Sequence, residues 1–423
     1  MKSKLILCAA VGFALVSCRQ AVKENSPWID HALDVALYQA KEMSALMTDS
    51  LDRMPRTLYT GYNMDFLVEQ MECDSTVFMD SLVANPPASE IGKLRTCNLY
   101  DWTSGFFPGT LWYLYELTGN DTVRQEAVRY TNRMYPIRKV NDNHDIGFMM
   151  NCSYGNALRL DANDTIKAVL IETADNLCSR FNARIGCIRS WDFGPWNYPV
   201  IIDNMMNLEL LFNVGKLTGD PKYKQIAVQH AKTTMKNHFR PDFTSWHVVS
   251  YNNDGSVEKK QTHQGKNDDS SWSRGQSWAV YGYTLCYRET RDSLFLRHAV
   301  NVADMIMKRN VAADKIPYWD FDAPVKEDTP RDASAAAVIA SAFLELSTFV
   351  PDGQKYFDYA ESILKTLSSD AYLAGKGKNG FFILMHSTGS LPHGSEIDAP
   401  LNYADYYYLE GLKRYVDLKK QSN

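Results

Sequence analysis

The stretch YPVIIDNMMNLELLFNVGKLTGDPKYKQIAVQHAKTTMKNHF (198–239) contains one complete unit of the fold. Its first helix-like segment, 204–217, is apolar on nearly every side, as expected of a buried helix. A Gly-Asp turn follows, and the next segment, 222–239, has apolar residues on one face of a helix. We therefore predict a loop that leads into a buried inner helix, which then packs against an amphipathic outer helix.

The same unit recurs along the chain, which predicts a repeat architecture. LTGNDTVRQEAV (117–128) and LTGDPKYKQIAV (217–228) align almost residue for residue, with Gly ending one helix and Asp or Asp-Pro starting the next. The predicted inner helices cover 104–118, 149–161, 203–218, 277–291, 333–350 and 402–417. The predicted outer helices cover 121–135, 165–182, 221–238, 293–310 and 354–369.

A helix at 31–47 supplies the sixth outer helix and pairs with the C-terminal helix to close the ring. The predicted fold class is therefore all-α, an (α/α)6 barrel of six inner and six outer helices. An open helical array is the alternative, and a seam closed by both chain ends disfavours it. Segment 240–266 alternates in polarity and carries NNDG, which predicts a β-hairpin excursion, and 184–191 predicts another short strand.

Composition excludes several classes of partner and cofactor. The 423 residues carry a net charge of −5 and show no basic stripe, which argues against nucleic acid. No CxxC pair or Cys/His cluster is present, so we expect no metal and no zinc site. Export would permit disulfides, but the scattered cysteines suggest buried free thiols, and both states stay open. The aromatic share is high, at 12%.

The N-terminus has the features of a targeting segment. Lys2 and Lys4 precede the apolar run LILCAAVGFALV, and Leu15–Cys18 resembles a bacterial lipobox. We expect residues 1–17 to be a lipoprotein signal peptide, 18–28 a linker lipidated at Cys18, and 29–423 the barrel domain. An ordinary signal peptide is the alternative. The expected location is an exported lipoprotein of a Gram-negative bacterium on the periplasmic face of a membrane, because no acidic run follows Cys18.

Two acids stand at the loop ends that precede inner helices. In a barrel of this kind all such loops lie at one end, so Asp145 and Asp203 would converge on one pocket. Burial and mutual repulsion would raise the pKa of one carboxyl, leaving it protonated as a general acid. The alternative is that both acids serve only as helix N-caps.

The segment DDSSWSRGQSW (268–278) places Arg274 between tryptophans in a loop that opens a helix. A guanidinium fork and indole rings suit a carboxylate on a ring-shaped ligand. The alternative is a buried arginine paired with Asp268 or Asp269. Further loop tryptophans, among them Trp102 and Trp191, suit the faces of sugar rings.

Four motifs carry a family resemblance. NHDIGFMMNCSYGNALRL (143–160), YPVIIDNMMNLELL (198–211), THQGKNDDSSWSRGQSWAVYGYTLCYRET (262–290) and SEIDAPLNYADYYYLEGLKRY (395–415) resemble the unsaturated glucuronyl hydrolases, glycoside hydrolase family 88. The resemblance runs from about residue 95 to the C-terminus. It implies an (α/α)6 barrel enzyme that removes a 4,5-unsaturated uronic acid from the non-reducing end of lyase-generated oligosaccharides of glycosaminoglycan type, by hydrating the C4=C5 bond without a cofactor.

The resemblance also implies residue roles. Asp203 matches the general acid, Asp145 the second essential carboxylate, and the loop 386–398 a region that contacts sulfate in some members, although no lysine accompanies its serines. The residues that match the sugar pocket are Trp102, Phe106, His144, Trp191, His247, Thr262, Gln264, Trp272, Arg274, Trp278, Ser387 and Ser390. Two alternatives stay open, an unsaturated rhamnogalacturonyl hydrolase on the same fold and a non-catalytic glycan-binding lipoprotein.

Overall fold

A computed structural model describes residues 26–73 and 82–421 of the chain. The predicted signal peptide, the lipidation site Cys18 and most of the linker 18–28 lie outside the described residues. Within the described part, no helix is both long and apolar enough to cross a membrane. The buried Cys97, Cys152, Cys187 and Cys286 carry free thiols.

Two concentric layers of helices make up the described chain. Six inner positions are occupied by Phe106–Thr118, the interrupted segment Ile146–Asp161, Asn204–Thr218, Ser273–Thr290, Ala333–Ser347 and Asn402–Gln421. Six outer positions are occupied by Pro27–Leu46, Asp121–Arg133, Asp164–Ser179, Pro221–Asn237, Ser293–Arg309 and Gln354–Leu367. The inner helices bury residues on all sides, whereas the outer helices bury one face.

The turns between paired helices follow the predicted chemistry. Gly119 and Gly219 end two inner helices in the left-handed region, at φ of 66° and 73°, where a side chain would be strained. Asn120 Oδ1 then accepts from the amide of Val123 at 3.2 Å, and Asp220 Oδ1 accepts from that of Lys222 at 2.9 Å. These side chains cap the outer helices that follow.

The second inner helix is not a regular α-helix. It runs as Ile146–Met150, a π-helical turn Asn151–Gly155 and Asn156–Asp161. Asn156 Nδ2 donates to the carbonyl of Cys152 at 2.9 Å across this turn. The helix begins directly after Asp145, three residues earlier than predicted, which brings its N-terminus to the loop end of the barrel.

The ring closes as an (α/α)6 barrel, which confirms the predicted fold. The last inner helix packs on the first, and Tyr113 donates to Glu410 at 2.8 Å between them. Trp28 of the N-terminal helix meets Tyr415 of the C-terminal helix, with ring centroids 5.5 Å apart. The N-terminal helix also packs on the first helix pair, where Tyr130 donates to the carbonyl of Ser44.

Short strands decorate the loop regions. The predicted hairpin forms between Val248–Tyr251 and Val257–Gln261, and Pro199–Ile201 joins it as an unpredicted third antiparallel strand. The predicted strand at 184–191 is the pair Phe181–Asn182 and Cys187–Ile188. A further antiparallel pair, Arg53–Leu58 with Leu94–Asn98, and the helix Met64–Met71 were not predicted.

Candidate active site

A cavity of about 340 Å³ opens at the end of the barrel where the inner helices begin. Both predicted acids and several predicted aromatic residues face it, so the loops do converge as the repeat pattern implied. The lining residues are Trp102, Asn143, Asp145, Trp191, Phe193, Ile201, Asp203, His263, Gln264, Arg274, Ser390 and His393.

Neither acid serves as a helix cap. Asp145 and Asp203 occupy the positions just before their inner helices, yet neither side chain accepts a capping hydrogen bond. Asp332 shows the contrast, because its Oδ1 accepts from the amides of Ser334 and Ala335 and caps the fifth inner helix. The capping alternative is therefore wrong, and both carboxyls are left available to the cavity.

Asp145 lies beside a histidine of fixed tautomer. The Asn207 side chain accepts from the amide of Phe148 at 2.7 Å, so its amino group faces His144 Nδ1 at 3.2 Å. His144 Nδ1 must then be the acceptor, which leaves the proton on Nε2. That nitrogen lies 3.3 Å from Asp145 Oδ1 and has no hydrogen-bond partner among the described residues. Burial lowers the pKa of His144 to about 4, so the ring is neutral.

Asp203 also lies beside a histidine, His247, which directly precedes the first strand of the hairpin. The amides of His263 and Gln264 both donate to His247 Nδ1 at 3.2 Å, which places the proton on Nε2. His247 Nε2 lies 3.5 Å from Asp203 Oδ2 without a hydrogen bond between them. Both buried atoms thus lack a partner among the described residues, and such atoms are costly unless a ligand or water satisfies them.

The sheet explains how these two residues meet. Pro199–Ile201 pairs with Val248–Tyr251 so that Ile201 faces Val248. The amide of Ile202 then donates to the carbonyl of His247 at 3.0 Å. The strand pairing therefore sets His247 beside Asp203, although more than forty positions separate them in the sequence.

The two carboxyls share a buried environment. Burial, together with the negative charges of Asp203 and Asp101, raises the pKa of Asp145 to about 8. A pair of this kind holds one proton at neutral pH, and that proton is a property of the pair rather than of one residue. Burial favours Asp145 as the resting carrier of this proton, whereas the resemblance matches Asp203 to the general acid.

Arg274 is buried in the cavity wall, and both terminal nitrogens of its guanidinium are already hydrogen-bonded. Its Nη1 pairs with Asp332 at 2.8 Å and donates to the carbonyl of Thr388, while Nη2 donates to that of Gly389. The guanidinium also lies over the Trp272 ring, 4.5 Å from its centroid. Arg274 is therefore the buried, ion-paired arginine of the alternative interpretation, but its partner is Asp332 and not Asp268 or Asp269. Only Nε lacks a partner within the described chain.

Aromatic side chains form two walls of the cavity. Trp191 stacks on Phe193 with ring planes 17° apart and centroids at 4.9 Å, and Phe193 is 57% exposed at the rim. Trp102 comes from a different loop and packs edge-on against Phe106 and Phe148. A stacked pair that reaches the rim in this way suits the apolar face of a sugar ring.

Several predicted pocket residues lie behind the lining. Phe106 and Trp278 are fully buried among aromatic neighbours, and Trp272 packs on His247 with centroids 4.6 Å apart. Thr262 Oγ1 accepts from the amide of Gly265 at 2.9 Å and shapes the loop. Ser387 is buried and pairs through its backbone with Ala399.

Other residues of the site are not among the predicted pocket residues. His263 and His393 face each other with ring centroids 4.4 Å apart, and His393 Nδ1 contacts Ser390 Oγ at 2.6 Å. Asn207 lies one helical turn after Asp203, a spacing that places both at the same end of one inner helix and was a usable signal. Gly147 leaves room for it, since a Cβ there would lie 2.4 Å from Asn207 Oδ1.

Comparison with known proteins identifies the family. A family model described as Glycosyl Hydrolase Family 88 matches residues 76–417, and one described as a domain of unknown function matches residues 1–73. The chain therefore belongs to glycosyl hydrolase family 88. The predicted family is confirmed, and so is the predicted class of enzyme, a glycoside hydrolase.

Several relatives and solved structures are named unsaturated glucuronyl hydrolases. An unsaturated glucuronyl hydrolase of Formosa agariphila is 49% identical over 323 residues, which is 75% of this chain and 80% of the relative. A crystal structure described as an unsaturated glucuronyl hydrolase specific for heparin has a TM-score of 0.84 and 48% identity, covering 93% of this chain and 98% of its own. The unsaturated glucuronyl hydrolase of Bacillus sp. GL1, described as responsible for the degradation of glycosaminoglycan, has a TM-score of 0.79 and 29% identity, covering 92% and 96%.

Proposed function

We propose that this glycoside hydrolase removes the 4,5-unsaturated uronic acid from the non-reducing end of glycosaminoglycan oligosaccharides produced by a lyase. The observation that carries the proposal is the pair of uncapped, largely buried carboxyls, Asp145 and Asp203, each faced by the Nε2 of a histidine. The relatives named for this activity cover most of the chain and support it.

The chemistry follows from the substrate, in which the C4=C5 bond is conjugated to the ring oxygen as a vinyl ether. A carboxylic acid donates its proton to C4, and the positive charge that develops at C5 is shared by the ring oxygen. Water adds to C5 and returns a proton to the carboxylate. The hydrated product is a hemiketal that opens and releases the remaining oligosaccharide, so the anomeric carbon is never attacked.

We assign proton delivery to Asp203 and the supporting role to Asp145. Asp145 is engaged by Asn207 and lies near His144, whereas Asp203 Oδ2 has no hydrogen-bond partner within the described chain. The less constrained carboxyl is the better donor to an incoming carbon. The pair keeps one proton, because the negative charges of Asp145 and Asp203 are not tolerated together in the buried site, and that proton must lie on Asp203 when C4 is protonated.

The remaining cavity residues suit the sugar rings. The stacked Trp191 and Phe193 offer a face for one ring, and the positive charge of Arg274 favours the uronate carboxylate even though its fork is engaged. Ser390 in the loop 386–398 lies at the cavity wall and is proposed to contact the next sugar. Groups of His, Cys, Asp or Glu that would hold a metal ion are absent from the described residues.

The experiment is to follow the ultraviolet absorbance of the conjugated uronate during incubation with the purified protein. Unsaturated disaccharides from heparin, chondroitin and hyaluronan, sulfated and unsulfated, and one from rhamnogalacturonan form the panel. We expect decay of the absorbance, fastest with the heparin disaccharides, since the 48% identical crystal structure is described as specific for heparin. Turnover of the rhamnogalacturonan product alone would contradict the proposal.

Replacing the proposed donor tests the assignment directly. Asp203→Asn preserves shape but cannot give a proton to carbon, so kcat is expected to fall by about 10²-fold or more. The exposed hairpin-turn variant Asp254→Asn makes the same chemical change away from the cavity and serves as the control. Activity above about a tenth of wild type in a folded Asp203→Asn protein would rule out this role.

We also propose that the mature protein is a lipoprotein carried by Cys18 on the periplasmic face of a membrane. The basic start, the short apolar run and the sequence Leu-Val-Ser-Cys at 15–18 support this location. Metabolic labelling with a radioactive fatty acid in a Gram-negative host should mark the wild-type chain and leave Cys18→Ser unlabelled. Labelling that persists in the serine variant would contradict the assignment.

A further inference from the structure

The N-terminal part of the chain contacts loops that carry cavity residues. Residues 1–73 match a domain of unknown function, yet the described part of that segment supplies an outer helix of the barrel and the strand Arg53–Leu58. The strand pairs with Leu94–Asn98, a few residues before the cavity residue Trp102. The segment is therefore continuous in space with the hydrolase fold.

Hydrogen bonds fix this strand at the start of the last inner helix. Thr57 Oγ1 donates to the carbonyl of Pro400 at 2.6 Å. Asn402 Nδ2 donates both to the carbonyl of Pro55 at 2.9 Å and to that of Thr103 at 3.0 Å. All of these contacts are buried, so the strand is held rigidly between two loops of the cavity end.

Arg56 projects from this strand to two acids on opposite loops. Its Nε donates to Glu396 Oε1 at 2.5 Å, and its Nη1 pairs with Asp101. The Arg56 side chain is only 15% exposed and that of Glu396 only 5%. Arg95 stands 3.6 Å from the same Glu396 oxygen as a weaker second partner. Two loops of distant sequence are thus joined through one guanidinium.

Glu396 connects Arg56 to the rest of the loop 386–398, of which it is a part. Its backbone is left-handed, at φ of 56°, a conformation that a non-glycine residue adopts only when its surroundings hold it there. The amide of Gly389 donates to the carbonyl of Glu396 at 2.8 Å, and a Cβ on Gly389 would lie 2.3 Å from Glu396 Oε2. The Gly389 carbonyl in turn accepts from Arg274 and Gln264, both cavity residues.

Asp101 transmits the contact to the other wall. Its Oδ1 accepts from both the amide and the hydroxyl of Thr103, which fixes the turn that presents Trp102. The negative charge of Asp101 also contributes to the raised pKa of Asp145. Arg56 neutralises that charge at close range. Loss of Arg56 would therefore change the electrostatic environment of the acid pair as well as the positions of the two loops.

We infer that Arg56 is a positioning residue of the active site, which joins the turn before Trp102 to the loop 386–398, and that the N-terminal segment is part of the catalytic unit. This inference rests on the proposed function in so far as the cavity is where turnover occurs. Arg56 does not line the cavity and acts through Asp101 and Glu396.

The test compares Arg56→Ala and Arg56→Lys with Arg53→Ala, a matched loss of arginine from the same strand. Arg53 is bound to Thr96 on the neighbouring strand and reaches neither acid. We expect kcat/KM of Arg56→Ala to fall roughly 10- to 100-fold through misplacement of the walls. The alkaline limb of its pH profile should move up by about half a pH unit, because the Asp101 charge is left unpaired. Arg56→Lys should recover part of both effects, and Arg53→Ala should show neither.

A double variant and an activity-independent measurement separate positioning from folding. In Arg56→Ala/Asp101→Asn the alkaline limb should return towards wild type, which a general loss of stability would not produce. Amide hydrogen exchange should be faster within 386–398 for Arg56→Ala than for Arg53→Ala. The inference would be overturned if the loop 386–398 exchanged equally fast in Arg56→Ala and Arg53→Ala. It would also be overturned if Arg56→Ala kept the alkaline limb and the KM of a wild-type protein that is itself active. Absence of wild-type turnover would overturn the proposed function instead, and the exchange result would still decide the role of Arg56.

Discussion

At the scale of single residues, position along the chain identified the acids, and only their surroundings determined their protonation. Asp145 and Asp203 precede inner helices in the sequence, and the structure shows that neither side chain caps its helix. Which carboxyl carries the proton depends on burial, on nearby charges and on two histidine tautomers. None of these quantities is visible in a local motif, because each depends on groups from other parts of the chain.

The raised pKa of Asp145 predicts a pH-dependent stability. An aspartate in an unfolded chain has a pKa near 3.8, and in the folded protein the pKa of Asp145 is about 8. Between those values the unfolded chain has already lost the proton that the folded state retains, so stability falls as the pH rises from about 4 to about 8. Asp145→Asn cannot ionise and should melt at a higher temperature than wild type at pH 8.

Thermal melts of both proteins across this pH range check the prediction. The gap in Tm should be smallest near pH 4 and should widen as the pH rises. A gap that is the same at pH 4 and pH 8 would contradict the protonated state of Asp145. Wild-type kcat/KM should also fall as the pH passes about 8, since the pair then loses its only proton.

Because Arg274 belongs to a buried ion pair, we expect Arg274→Ala to lower the stability of the protein more than its affinity for the substrate. Arg274→Ala leaves the fully buried Asp332 carboxylate without its partner, and breaking a buried pair in this way costs about 3–5 kcal/mol. Denaturant unfolding of Arg274→Ala should show this loss. Arg274→Ala/Asp332→Asn should recover part of it, because asparagine still caps the helix and carries no charge. An Arg274→Ala protein as stable as wild type, with only KM raised, would favour a purely substrate-binding arginine.

At the scale of elements, the three-stranded sheet brings the residues around Asp203 together. The alternating pattern at 240–266 predicted its hairpin, whereas Pro199–Ile201 was interpreted as a loop that leads into a helix. Three residues are too few for a periodicity to be seen. The strand forms because Val248–Tyr251 offers it backbone partners, and this long-range pairing brings His247 to Asp203.

His247→Ala tests that assembly. The substitution removes the nitrogen beside Asp203 and the acceptor of the His263 and Gln264 amides, so the loop that follows the hairpin loses an anchor. We expect kcat to fall about 10- to 100-fold with a smaller change in Tm. His298→Ala removes a buried histidine from an outer helix and should lower Tm while leaving kcat near that of wild type. Equal effects of the two variants on kcat would show that His247 has no special role.

At the scale of the whole molecule, both chain ends close one ring. The N-terminal helix Pro27–Leu46 buries Ile29, Leu33, Val35 and Met43 in the main core. Fully burying each such side chain contributes roughly 1.5–3 kcal/mol, and a domain has only about 5–15 kcal/mol of net stability. A chain that starts at residue 76, where the family match begins, should therefore fail to fold cooperatively.

Circular dichroism and thermal unfolding of that truncation check the prediction against a chain that starts at residue 26. The longer chain retains the complete outer helix and should unfold in one sharp transition. A cooperative transition in the shorter chain would show that the N-terminal segment is a separate module.

By itself the sequence determined the barrel, the family, the two acids and the loop end at which they meet. These features follow from local periodicity, turn chemistry and repetition, which neighbouring residues alone can express. The tertiary structure decided the tautomers of His144 and His247, the engagement of Arg274 by Asp332 and the contact of Arg56 with two cavity loops. Each of these depends on a partner tens to hundreds of residues away, and burial among such partners sets the charge and orientation of a side chain.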